Sequence, residues 1–498
     1  SKLEQLEKLD LYETNISDIS FLESNKNIKE LILGCSYEIK DFSYISKLEK
    51  LEILGLYDLN ISDISFLVNN KNIQALGIGK CENIKDFSYI SKLENLEHLV
   101  LEYLNIFDIS FLVSNKNIIK LRLRSCTYIK DFSYISKLEK LEQLLLFDLN
   151  ISDISFLKNN KNINENIEDL PSSISEKLEK SFHDESINSD VSFLVKCKNI
   201  KNFYLGDCEN IKDFSYLSKL ENLEILILRN LNICYISFLE NNKNIKELYL
   251  NNLKEIYDFS YISKLENLER LALDDLDISD ISFLENNKNI KELYLNKCYY
   301  IKDFSYISNL EKLEELNLNG SYISDISFLK NNKNIKELDL GKCEDIKDFS
   351  YISNLKKLEE LNLNYSSISD ISFLENKKNI KELYLGLCYY IEDFSFISKL
   401  ENLEKLELSE SYISDISFLE NNKNIQELNL SLCNKIKDFS FLSKFENLEK
   451  LNLCFTSISD ISFLENNKNI KELYLDYCNK IKDFSYISKL KKLEKLTL

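Results

Sequence analysis

The stretch Leu6–Leu51, LEKLDLYETNISDISFLESNKNIKELILGCSYEIKDFSYISKLEKL, holds two unequal copies of one pattern and decides the fold. One copy, Leu6 to Lys26, reads LxxLxLxxxxISDISFLxxNK. The other kind reads IxxLxLxxCxxIxDFSYISK, as in Ile470 to Lys489. Leu6 to Ile28 is 22 residues and Ile28 to Leu51 is 23, so a full unit is 45 residues long. In the LxL alternation the leucines share one face of a strand and the x positions share the other. At the next step Ser and Asp suit a turn, and either can cap a single helical turn that carries Phe-Leu or Phe-x-x-Ile back inward. One such unit has no core of its own; stacked neighbours make one.

The same two strings run the length of the chain. DFS recurs from Asp41 to Asp483 at steps of 45, apart from one step of 82 between Asp131 and Asp213. DIS alternates with it from Asp18 to Asp460, becomes DVS at Asp190, and has Tyr235 in place of the aspartate once. The repeated LxxLxL core resembles the leucine-rich-repeat family, and the likeness covers essentially the whole chain. The IxDIxxL half is similar to the short internalin-like and phosphatase-regulator-like types, and the Cys half to the cysteine-containing type. The resemblance implies an α/β repeat solenoid, a curved array with a parallel concave β-sheet and short 3-10 or turn segments on the convex side. It also implies a recognition surface on the concave face. The phosphatase-regulator family's contact residues do not match here position by position and are not carried over.

We therefore expect one solenoid over residues 1–498, with regular repeats at 1–162, an irregular and shortened repeat at 163–193, and regular repeats again at 194–498. The irregular stretch holds the sole Pro, Pro171, and one of two His, His183. Seven residues are missing after Asn162-Ile163 and one more further on, so a lost strand with a kink or an exposed edge is expected there. That stretch reads either as a hinge or presented loop, or as a tolerated deletion scar. Ser1 is not Met and Leu498 falls within a repeat, so the chain is expected to be a fragment of a longer one.

Charge narrows the partners. The net charge is -19, from 82 acidic and 63 basic residues, which disfavours nucleic acid and anionic lipid. No stretch is long and apolar enough for membrane insertion. No P-loop, nucleophile elbow or dinucleotide fingerprint occurs, so no catalysis and no cofactor are expected. Cys81, Cys126, Cys208, Cys298, Cys343, Cys388, Cys433 and Cys478 occupy one column, with members two strands apart. At ~9–10 Å they are too distant for disulfides, and no CxxC or Cys/His pair indicates a metal. Buried free thiols are expected, which favours an intracellular setting; a cell-surface or secreted one requires a signal outside this sequence.

The exposed columns bear on function. The first alternates Glu (Glu7, Glu52, Glu97, Glu269, Glu314, Glu404) with Lys (Lys29, Lys246, Lys291, Lys336, Lys381, Lys471) and reads as an ion-pair ladder. The mid-strand column varies most, with Tyr204, Ile227, Tyr249, Tyr294, Tyr384 and Tyr474 among its members. Leu145, Phe147 and Ile225 add to an apolar run. These nine residues are the candidate partner-binding set, because exposed apolar patches mark interaction sites and Tyr is enriched in hot spots. The alternative reading is a β-propensity ladder of stacked side chains. Asn and acidic residues nearer the C-terminal end point to a more polar contact region. The functional expectation is a protein-binding scaffold; the alternatives are an extracellular adhesin or receptor ectodomain, and a structural protein that self-associates head to tail.

Overall fold

The computed structural model describes residues 6–14, 16–149, 199–208, 211, 213–253 and 256–498. The irregular stretch 163–193, Pro171 and His183 included, lies outside the described residues. The chain forms two compact units, Ser1–Asn267 and Leu268–Leu498. Each is a leucine-rich solenoid of half-repeats with the order strand, turn, 3-10 turn. Among the described residues unit 1 holds strands β1 (Lys8–Tyr12) to β10 (Glu247–Asn251), and unit 2 holds β11 (Arg270–Ala272) to β21 (Lys495–Thr497).

Within each unit every strand pairs in parallel with the next half-repeat's strand, LxL against LxL. Leu9 faces Leu31 in unit 1, and Leu293 faces Leu316 in unit 2. Away from the first and last half-repeats these leucines are buried, as are the Ile and most of the Phe of the turns, so the core lies between the sheet and the row of 3-10 turns. The aspartate of each DFS or DIS string starts the turn. Asp18 accepts bonds from the Ser20 amide at 2.8 Å and the Ser20 hydroxyl at 2.9 Å, and Asp41 does the same for the Ser43 amide at 2.8 Å.

A buried asparagine in FLxxN then ties neighbouring half-repeats together. Asn70 Nδ2 donates to the carbonyls of Ile45 at 3.0 Å and Leu48 at 3.1 Å. Asn115, Asn242, Asn332, Asn422 and Asn467 repeat the arrangement. Each of these carbonyls already accepts a backbone N–H of its own turn, as Ile45 O does from Leu48 N at 3.0 Å, and the asparagine fills its second lone pair.

Strands run for five residues in unit 1 and three in unit 2. Several mid-strand side chains of unit 2 also bond locally. In unit 2, Asn317, Asp339, Asn362, Asn429 and Asn452 each accept the backbone N–H two residues on, at 2.8 to 3.0 Å. The same bond runs from the Tyr12 amide to Asp10 in β1. The sequence reading took these residues for a polar contact region; their oxygens are engaged with their own backbone.

The expected open edge at the irregular stretch is not found among the described residues. β7 (Gln143–Phe147) pairs in parallel with β8 (Asn202–Gly206) over all five residues. Asn199 Nδ2 donates to Glu139 O at 3.1 Å, the bond that Asn72 makes to Glu49 elsewhere. Leu145 and Tyr204, register partners, stand 59 positions apart where 22 is usual, so 37 residues are additional between adjacent strands. Side chains dictate the point of resumption. A strand begun after Ile163 would set Asn166 and Glu168 where Phe203 and Leu205 are fully buried. An unpaired polar pair is costly at such buried places.

Candidate functional site

The thiol column is built as expected. Cys81, Cys126, Cys208, Cys298, Cys343, Cys388, Cys433 and Cys478 are free and buried. Their sulfurs sit against strand carbonyls, as Cys298 does on Leu273 O at 3.0 Å. Burial pushes the thiols of Cys81, Cys126, Cys298 and Cys343 up to about 12, which leaves them unreactive.

The face of the sheet turned away from the core carries the remaining candidates. Its outermost column is an ion-pair ladder: Lys29 reaches Glu7 at 3.0 Å, Lys291 Glu269 at 2.7 Å, Lys336 Glu314 at 2.6 Å and Lys381 Glu359 at 2.6 Å. The hydrogen bonds they donate to these carboxylates raise Lys291, Lys336 and Lys381 above the ordinary lysine value. A ladder of this sort orders the stack more than it stabilises it, because the pairs are solvated.

In unit 1 the first half of the face closes over itself. Ile32, Tyr57, Ala75 and Val100 form a small apolar cluster with Tyr12 and Ile53 packed against it. Tyr57 fits only because of glycine: a Cβ at Gly77 would stand 2.1 Å from its hydroxyl oxygen, and one at Gly55 2.7 Å from its ring. Beside the cluster, Arg122 Nε meets Glu102 at 2.6 Å with side chains 12% and 1% exposed. The Arg122 guanidinium also stands 5.8 Å from the Phe147 ring. His98 lies in the same region; burial first, then Lys120, lowers it to about 4, so it stays neutral.

Past that point the face opens. Leu145, Tyr204, Ile227 and Tyr249 are successive register partners across β7, β8, β9 (Ile225–Arg229) and β10. Four strands at ~4.8 Å make a row on the order of 14 Å long. Tyr204, Ile227 and Tyr249 are half-buried, whereas Leu145 is 7% exposed and underlies the row. Ile225 flanks it one step along, and Phe147 lies across Gly206, whose Cβ would be 2.9 Å from the ring. Of the nine candidate residues, the structure thus gathers six in unit 1. Tyr294, Tyr384 and Tyr474 belong to unit 2, four strands apart from one another, and make no single patch.

Sequence reasoning missed one feature of unit 2. In the first strand position, β12 (Glu292–Tyr294) to β16 (Glu382–Tyr384) present Glu292, Glu315, Glu337, Glu360 and Glu382 as successive register partners. The ladder column beside them alternates in sign; this one does not. The signal was present in the repeated Glu-Glu and Lys-Glu pairs before each LxL, but the strand offset that separates the columns was needed to read it.

The family comparisons agree with the architecture. A model described as "Leucine Rich repeats (2 copies)" matches residues 288–331, 401–444 and 446–489. One described as "BspA type Leucine rich repeat region (6 copies)" matches residues 55–167 and 172–302. No curated protein matches the chain. Among solved structures it is similar to an internalin (inlF) from Listeria monocytogenes, at 28% identity and TM-score 0.54, covering 61% of this chain and 88% of that one. It is also similar to TLR13 in its complex with ssRNA13, at 16% identity and TM-score 0.54, covering 96% and 85%. At that identity the second likeness concerns the fold alone.

Proposed function

Since this chain belongs to the leucine-rich-repeat proteins, we propose that it is a recognition protein that seats a protein partner on the open sheet face and performs no catalysis. The register row of Leu145, Tyr204, Ile227 and Tyr249 carries this reading. Rigid aromatic side chains bring large apolar area at little entropic cost, so Tyr204 and Tyr249 are the anchors and Ile227 fills between them. Phe147 and Ile225 widen the contact, and Leu145 holds it from beneath. Tyr294, Tyr384 and Tyr474 supply further contact points on unit 2. The partner is a protein and not a nucleic acid: a net charge of -19 repels phosphate, and the RNA bound to TLR13 does not transfer at 16% identity.

The test is affinity capture with mass spectrometry, from cell lysate and from medium, using the native chain beside a Tyr204→Ala/Ile227→Ala/Tyr249→Ala variant. These side chains lie on the outer face, so the variant keeps its circular dichroism. A partner lost by the variant supports the reading. A partner held equally by both chains, or capture of nothing but further copies of this chain, overturns it. The likeness to the Listeria internalin favours a second reading, an extracellular adhesin or receptor ectodomain. Recovery of the partner from cell surfaces instead of lysate would decide for it.

A further inference from the structure

The open face of unit 2 departs from charge balance at one place. From β17 (Lys405–Glu407) onward, the first strand position alternates Lys405, Glu427, Lys450, Glu472 and Lys495. The five strands before it carry only glutamate. The chain's own cations close the ends of that run. Arg270 grips Glu292 with two nitrogens, one of them Nη2 at 2.6 Å from Oε1, and Lys405 stands 3.5 Å from Glu382. Among the described residues, no Lys, Arg or His pairs with the middle three, Glu315, Glu337 and Glu360. The crowding is felt. Burial first, then Glu382 and Glu337, pushes the Glu360 carboxyl up to about 7, and burial with Glu337 and Glu292 raises Glu315.

We propose that the face of β12 to β16 is a docking surface for a basic protein segment, an extended stretch that directs Lys or Arg side chains onto Glu315, Glu337 and Glu360. Charge complementarity names the occupant, and the chain itself displays the bond: Arg270 on Glu292 is the contact an incoming guanidinium would repeat one strand further on. Tyrosines bound the run on the neighbouring column. Tyr294 donates to Glu292 at 3.0 Å, and the Tyr384 ring already holds the Lys405 ammonium 5.2 Å from its centroid. The geometry separates a polycation from a metal ion. The carboxylates lie in a line at ~4.8 Å steps and are not gathered about a point. No group of three or more His, Cys, Asp or Glu is placed to hold a metal among the described residues. This surface lies apart in sequence and unit from the apolar row, and its test leaves that row untouched.

The probe is a fluorescein-labelled peptide of alternating Arg and Ser, titrated with the full chain by fluorescence anisotropy. Glu315→Gln/Glu337→Gln/Glu360→Gln is compared with Glu314→Gln/Glu359→Gln/Glu449→Gln, which removes equal charge from carboxylates paired with lysine. The first variant should weaken binding by about tenfold or more and flatten its salt dependence. The second should stay within about twofold of the native chain. Equal loss in both, or no binding by the native chain, overturns the proposal, as does displacement of the peptide by calcium at matched ionic strength. Should the triple variant fold poorly, Glu337→Gln alone, at the exposed centre of the run, must still weaken the peptide severalfold.

Discussion

Lys377 occupies the place that Asn332 and Asn422 hold in the neighbouring long-period repeats, and replacing it with Asn should stabilise the array. Lys377 is 4% exposed, and its ammonium donates to the carbonyls of Ser353, at 3.1 Å, and Leu355. Burial first, then Lys356, brings it from 10.5 down to about 8. At ~1.4 kcal/mol per unit, holding the proton in the folded chain at neutral pH costs on the order of 3 kcal/mol. Asn supplies two bonds without a charge: Asn332 donates to Ile307 and Leu310 at 2.9 and 3.0 Å, whose counterparts here are Ile352 and Leu355. Lys377→Asn should therefore gain about 2–3 kcal/mol, which is about a thirtyfold to hundredfold rise in local protection. Hydrogen exchange with mass spectrometry across residues 366–399 reads it at pH 7. The sign with pH follows from linkage. Below about 8 both folded and unfolded chains carry the proton and the cost is complete. Between 8 and 10.5 the folded chain sheds its proton first, so the native protein gains on the variant as pH rises. Urea titrations should show the gap largest near pH 7 and nearly closed by 10.5. Equal protection at pH 7, or a gap that does not change with pH, would refute the argument.

Other consequences are more local. Asn332→Ala removes two buried hydrogen bonds, although Ile307 O and Leu310 O keep their backbone partners, and should cost about 1–3 kcal/mol, seen as lost exchange protection confined to the adjoining half-repeats. Gly77→Ala forces the Tyr57 ring off the sheet and should cost about 1–3 kcal/mol; the same change in a Tyr57→Ala background should cost much less, which a double-mutant cycle measures. Deleting residues 164–200 joins Ile163 to Lys201 and restores the 22-residue spacing between Leu145 and Tyr204, so the shortened chain should fold with an unchanged strand signal in circular dichroism. An aggregated or unfolded product would show that the additional residues support the β7–β8 junction.

Much was legible from the repeat alone. Identical half-repeats must take equivalent places, so the LxL register, the inward leucines, the isolated thiols and the Glu–Lys ladder all follow from spacing. The mid-strand column was identified by the same logic, which placed Leu145, Tyr204, Ile227 and Tyr249 in one column, although a kink or open edge was expected between Leu145 and Tyr204. What failed was any inference needing side-chain reach. Val100 and Leu145 occupy an outward column yet are 2% and 7% exposed, because neighbouring rings and aliphatic chains lie over them. Asn317 and Asn362 look like contact residues until their oxygens are found on their own backbone amides.

Sequence by itself determined that this chain stacks into a leucine-rich solenoid, because a 45-residue repeat with an apolar period of two can bury its leucines in no other way. Only the tertiary structure decided where the array resumes after its irregular stretch, since that choice compares the burial of Phe203 and Leu205 with that of Asn166 and Glu168. Only the tertiary structure brought five glutamates from five different half-repeats into one line. They stand 22 or 23 residues apart in the chain, and the repulsion between them exists only once neighbouring strands are hydrogen-bonded.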